Sequence, residues 1–157
     1  MRNHRYKLIP ILTMILVALP FSISHASDKA FGVRAGFGLD PDQVVVGVQG
    51  VTGKVAGPID FAPSFDIGFG DNVTTFDANP DFRLRFSPPD SRAGLYVSAG
   101  PTFALFDPDN GDSDLQVGLS LNGGVLLSLG KSYHYNLEGR FGIDNIPDFR
   151  LLFGVMF

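Results

Sequence analysis

From Ala30 to Phe157 apolar and polar residues alternate in segment after segment, and no window repeats apolar residues at helical spacing for more than a turn. This period of two predicts eight strands. The first sets Phe31, Val33, Ala35, Phe37 and Leu39 against Gly32, Arg34, Gly36 and Gly38. The second, Gln43 to Thr52, has no legible face because Val44, Val45 and Val46 are consecutive. The third runs from Ile59 to Phe69, the fourth from Phe76 to Phe86, the fifth from Leu95 to Leu105 and the sixth from Leu115 to Leu129. The seventh begins at Tyr133 and the last runs from Phe149 to Phe157. Between them lie short connections rich in Gly, Pro, Asn and Asp, the residues that tight hairpins demand. Seven turns joining eight antiparallel strands leave no room for a second domain.

Alternation fits two opposite objects: a soluble barrel with an apolar interior, and a membrane barrel with the faces exchanged. Composition decides between them. The polar face is short of Lys and Glu, which a water-facing strand normally carries; Lys29, Lys54 and Lys131 all fall outside the expected strands. That face is instead rich in Gly, Ser and Asn, as required in an eight-stranded bore barely wide enough for side chains. Its long residues are Arg34, Arg83, Arg85, Arg140 and Arg150, and its acids are Asp60, Asp66, Asp77, Asp81 and Glu138. Equal numbers of each predict an ion network inside the lumen, because buried charge persists only when paired. The fold class expected is therefore all-β: an eight-stranded antiparallel up-and-down transmembrane β-barrel. A soluble periplasmic lipocalin-like barrel, with its Phe residues lining a ligand pocket, is the competing reading.

The N-terminal stretch is of another kind. Arg2, Arg5 and Lys7 precede an apolar core from Leu8 to Ile23, and Ser24-His25-Ala26 offers small residues for signal peptidase. Residues 1–26 are expected to be a signal peptide and 27–157 the barrel. Removing them takes three of the 12 basic residues and none of the 16 acids, which moves the net charge from −4 to −7. With no basic run, that balance argues against nucleic acid as a partner. The absence of Cys excludes disulfides, thiolate metal sites and a lipid-modified N-terminal Cys.

The last strand carries Phe149, Leu151, Phe153, Val155 and Phe157 at alternate positions and ends on an aromatic residue. In this the chain resembles the small eight-stranded outer-membrane β-barrels, the class containing the OmpA transmembrane domain and OmpX. The resemblance implies location in the bacterial outer membrane, recognition of that terminal strand by the assembly machinery, and contact with outer-membrane lipid and lipopolysaccharide. It also implies a periplasmic start, so that the outer connections would carry Asp40, Asp42, Asp71, Asp107, Asp109, Asp112, Asp114, Asp144 and Asp148 and no base. The opposite connections would carry Lys54, Arg92 and Lys131 against Asp90. A monomer is expected.

Three strand positions sit awkwardly in a closed barrel: Pro63, Pro80 and Pro101 cannot donate to a ladder, and no edge exists to hide them. Bulges are expected there, or a strand portion projecting above the membrane, above all from Val73 to Pro80. Among the outer acids, Asp107, Asp109, Asp112 and Asp114 flank Gly111 at alternate spacing and are the candidate Ca²⁺ ligands, although the closing Glu of a calcium loop is missing. No other cofactor is expected. Some small outer-membrane barrels modify lipid A, and a deacylase of that kind resembles His-x-Ser on the lipid side. This chain reads His134-Tyr135-Asn136 with the histidine facing inward, so no catalytic residue is assigned. A structural or surface barrel with a largely plugged lumen remains the leading expectation, and a narrow porin-like channel the alternative.

Overall fold

The computed structural model describes residues 29–86, 92–128 and 133–157. The expected signal peptide lies outside the described residues, as do Asp90 and Lys131. The strands are β1 (Ala30–Leu39), β2 (Gln43–Val51), β3 (Lys54–Ala56), β4 (Ile59–Gly70), β5 (Val73–Phe86), β6 (Ala93–Pro108), β7 (Asp114–Ser128), β8 (His134–Ile143) and β9 (Phe149–Met156). Successive strands pair antiparallel, β2 pairs directly with β4, and β9 returns to pair with β1. Eight staves therefore close into a barrel, and β3 is a short ninth segment. It continues β2 past Thr52-Gly53 and pairs with β4 through a register shift. Lys54 thus lies in a strand after all, a correction to the expectation that every lysine falls in a connection. It is exposed and beyond the closed part of the wall, so the reason for excluding lysine from the staves is untouched.

Closure is complete at the backbone. The Phe31 N–H donates to the Phe157 carbonyl at 3.1 Å and the Phe157 N–H to the Phe31 carbonyl at 2.8 Å. The stagger follows from the register. Leu39 faces Phe149, which faces Phe141, and the same row continues through Leu121, Ala99, Phe82 and Phe61 to Thr52. Thr52 is one residue past Val51, the partner of Ala30, so the row re-enters β1 at Lys29, ten residues before Leu39. A shear of that size in eight strands tilts them by about 40°. Ten tilted residues span about 25 Å of barrel axis, the height of the apolar band that such barrels present to lipid.

The faces are those of a membrane barrel. Phe37 is 67% exposed and Leu121 53%, while Asp66 and Glu138 are wholly buried. Burial resolves the second strand too: Val44, Val46 and Val48 point outward, Gln43, Val45, Gln49 and Val51 inward. A soluble ligand-binding barrel would have these faces reversed.

The prolines cause no bulge, which corrects the expectation at Pro63, Pro80 and Pro101. Pro63 faces Pro80 in an unbroken β4–β5 register, and β6–β7 pairing runs through Pro101 unshifted. The β5–β6 ladder lapses only at Asn79, Pro80 and Asp81 and resumes in the same register. That register sets Pro80 against Pro101, so two missing donors fall on one rung and one interruption accommodates both. Pro63 stands where the β2–β4 ladder ends, one residue past Ser64. Val73 to Pro80 forms the first half of β5, a strand of 14 residues beside the 16 of β6, longer than the ten that span the apolar band, so the expectation of a strand portion projecting beyond that band stands.

Candidate functional site

Inward side chains of all eight staves fill the lumen, and the structure brings together all ten ionic residues that alternation assigned to it. Glu138 on β8 is the hub. Its carboxylate takes Arg34 at 3.2 Å, Arg83 at 3.3 Å and Arg140 at 3.4 Å, and accepts the Tyr96 hydroxyl at 2.7 Å. Arg83 also lies over the Tyr96 ring, 3.9 Å from its centroid. Toward the loop-bearing end, Arg34 forks onto Asp66, with Nε to Oδ1 at 2.7 Å and a second, shorter contact between Nη2 and Oδ2. Arg140 pairs with Asp81 at 2.5 Å and Arg150 with Asp77 at 2.6 Å. Toward the end that holds the chain termini, Arg85 pairs with Asp60 at 2.6 Å. Every arginine of the set has an acid, and the set is neutral.

Neutral polar side chains knit the levels together. Asn79 donates to Asp66 at 3.2 Å and accepts from Thr102 at 2.8 Å; Asn122 donates to Asp81 at 3.0 Å; Gln49 donates to Asn136 at 2.7 Å. Glycine supplies the room. A β-carbon on Gly124 would strike the Tyr96 ring, 2.6 Å from Cε1, and one on Gly36 would lie 2.9 Å from the Leu152 Cα across the β1–β9 seam.

Buried apolar groups gather toward both ends of the lumen. At the termini end Val51, Ala62 and Met156 form a buried cluster with Ala30 and Leu126 packed on it. At the other end the connection after β8 folds into the mouth. Asp144 takes a positive φ of 73°, Ile146 and Pro147 become buried, and the Gly142 N–H donates to the Asp148 carbonyl at 2.8 Å. Ile146 rests where β-carbons on Gly118 or Gly142 would meet it at 2.9 and 2.8 Å. A void of about 10 Å³ lies beneath, lined by Asn79, Thr102, Arg140 and Arg150 among others. It has room for one water at most.

Solved structures share the fold. The N-terminal β-barrel domain of Pseudomonas aeruginosa OprF superposes with a TM-score of 0.67 at 16% identity, covering 83% of this chain and 96% of that one. Neisserial surface protein A gives 0.59 at 14% identity over 82% and 92% of the two chains, and Yersinia pestis Ail 0.52 at 9% over 83% and 98%. This chain has the fold of a small outer-membrane β-barrel. No protein-family model matches the sequence, and no curated protein matches it either.

As in any such barrel, the exterior is the lipid face, and Phe149, Leu151, Phe153, Val155 and Phe157 stand in one outward row on and just past β9. The acids at the far end do not converge. Asp107 and Asp114 belong to β6 and β7, where Asp107 accepts Ser113 at 2.6 Å and Asp114 accepts Gln116 at 2.8 Å. Asp109 and Asp112 lie in the intervening turn, and among the described residues no three carboxylates or imidazoles gather as a metal site. His134 shares a 2.8 Å hydrogen bond with Ser128 at the termini end. Glu138, four residues along its strand, is occupied by three arginines and Tyr96, so it does not orient the imidazole as a third catalytic member would. Sequence reasoning missed Tyr96 as a hub partner, although its strand parity was inward. It missed Ile146 for a deeper reason: a loop residue carries no periodicity.

Proposed function

We propose that this protein is an integral outer-membrane barrel with a structural or surface role, whose lumen passes no solute. The observation that carries the reading is the neutral ion network held between two apolar closures, with a void of only about 10 Å³ beside it. A conducting lumen would need a continuous wet path, and here each end is blocked by hydrocarbon. The outward row on β9 supports recognition by the assembly machinery, and the acidic far rim supports contact with lipopolysaccharide through bridging divalent cations. A monomer suffices, because among the described residues all eight staves are paired on both sides and only the short β3, paired with β4 alone, keeps a free edge. The test is twofold. The protein should fractionate with the outer membrane and migrate differently before and after heating. Refolded into planar bilayers it should produce no stepwise current; discrete conductance steps that disappear with the protein would establish the narrow-channel alternative and overturn the plugged-lumen reading.

A further inference from the structure

The lipid-facing wall is not evenly covered. Among outward positions on the described strands only Gly50, Gly123 and Gly139 lack a side chain, and the last two face each other across β7 and β8. A β-carbon on Gly123 would meet nothing within 4 Å. Around this pair lies an apolar groove of about 540 Å³, walled by Phe86, Leu95 and Val97 on one side and Leu151 on the other. Its course follows the stagger of the strands. Phe86 is the last residue of β5, at the termini rim, whereas Leu151 is the third residue of β9, on the loop side of its middle. The groove therefore opens at the termini rim and reaches beyond mid-height, and its stretch from Phe86 to the Gly123–Gly139 pair lies at the depth of the near leaflet. At its lower end the strands leave arginine at the rim. Arg85 is 37% exposed beside Phe86, and Arg92, exposed opposite Ser128, has no ion pair among the described residues.

From this depth and charge we infer that the Gly123–Gly139 groove seats an acyl chain of an anionic phospholipid of the periplasmic leaflet, with its phosphate at Arg92. The inference rests on the outer-membrane reading. An apolar trough in contact with hydrocarbon fills with hydrocarbon, and the rim charge selects which lipid supplies it. Lipopolysaccharide, in the opposite leaflet, would enter from the wrong end.

The chain contains no Trp, so a single introduced indole reports without background. Leu137→Trp puts it at the groove edge, and Val48→Trp on the opposite side of the wall, where Val48 is 40% exposed, serves as the reference. Each protein is refolded into phosphatidylcholine vesicles containing a small fraction of phosphatidylglycerol brominated in its acyl chains. The Leu137→Trp protein should experience about a fivefold higher local concentration of the brominated lipid than the reference, the enrichment one rim arginine can supply. Arg92→Gln or Gly123→Leu, added to Leu137→Trp, should remove that excess. Gel mobility shows whether these doubles fold, and the comparison of the two single-Trp proteins stands without them. Equal quenching at the two positions overturns the groove while leaving the bilayer reading intact. An excess that survives Arg92→Gln in a folded protein overturns the choice of an anionic lipid. Quenching at neither position overturns both the groove and the lipid-facing wall.

Discussion

Replacing Glu138 with Gln removes one charge from a neutral, buried set without changing its volume, and the consequences differ among its partners. Arg34 keeps Asp66 and Arg140 keeps Asp81, but Arg83 has no other carboxylate and retains only the Tyr96 ring. Leaving one buried charge uncompensated costs about 3–5 kcal/mol. The cation–π contact is present before and after the substitution and cancels in the difference, so E138Q should destabilise the barrel by that same margin, about 3–5 kcal/mol. If the loss comes from the stranded guanidinium, removing it as well should restore most of the stability. Arg83→Met combined with E138Q should lie within about 1 kcal/mol of the wild type, since a buried pair replaced by apolar groups is often near neutral. The assay is urea unfolding of the refolded barrel in phospholipid vesicles, followed by the loss of the fast-migrating folded band. A double variant no more stable than E138Q alone would refute the reasoning, because the cost would then belong to Glu138 itself and not to its unpaired partner.

Three further outcomes follow from the geometry. Phe153→Arg, on an outward position near mid-height, should cost about 2–4 kcal/mol in the same unfolding assay, against at most about 1 kcal/mol for Leu39→Arg at the rim; equal costs would contradict the placement of the lipid belt. Gly36→Val puts its side chain against the Leu151 carbonyl and 2.9 Å from the Leu152 Cα at the seam that closes the barrel. Refolding of that variant should yield no heat-modifiable band, whereas Gly123→Val, which points into open space, should fold normally. Because Asp107, Asp109, Asp112 and Asp114 do not converge, millimolar Ca²⁺ should leave the heat-modification temperature unchanged; a rise abolished by replacing Asp109 and Asp112 would reverse that reading.

The alternation of residues is a local property and was legible without a structure. A strand turns successive side chains to opposite faces, so parity alone separated Phe37 from Gly38 and Leu121 from Asn122, and the scarcity of lysine told that the polar face turns into the lumen. The ten lumen ions were legible for the same reason. What parity cannot carry is the order in which strands meet and the stagger at which the ring closes, since these depend on residues far apart in the chain. Closure brought Arg34 to Asp66 and Glu138, 32 and 104 residues away, and the β5–β6 register set Pro80 against Pro101 so that one gap served for two. The β7–β8 register put Gly123 beside Gly139 and opened the groove around them. The burial of Ile146 lay furthest beyond sequence reading: it belongs to no strand, and only the space left by Gly118 and Gly142 gives it somewhere to go. The sequence by itself determined what each face is made of; the tertiary structure decided which charges meet, where the wall is thin and where the Ile146 loop packs, because those are properties of the assembled barrel.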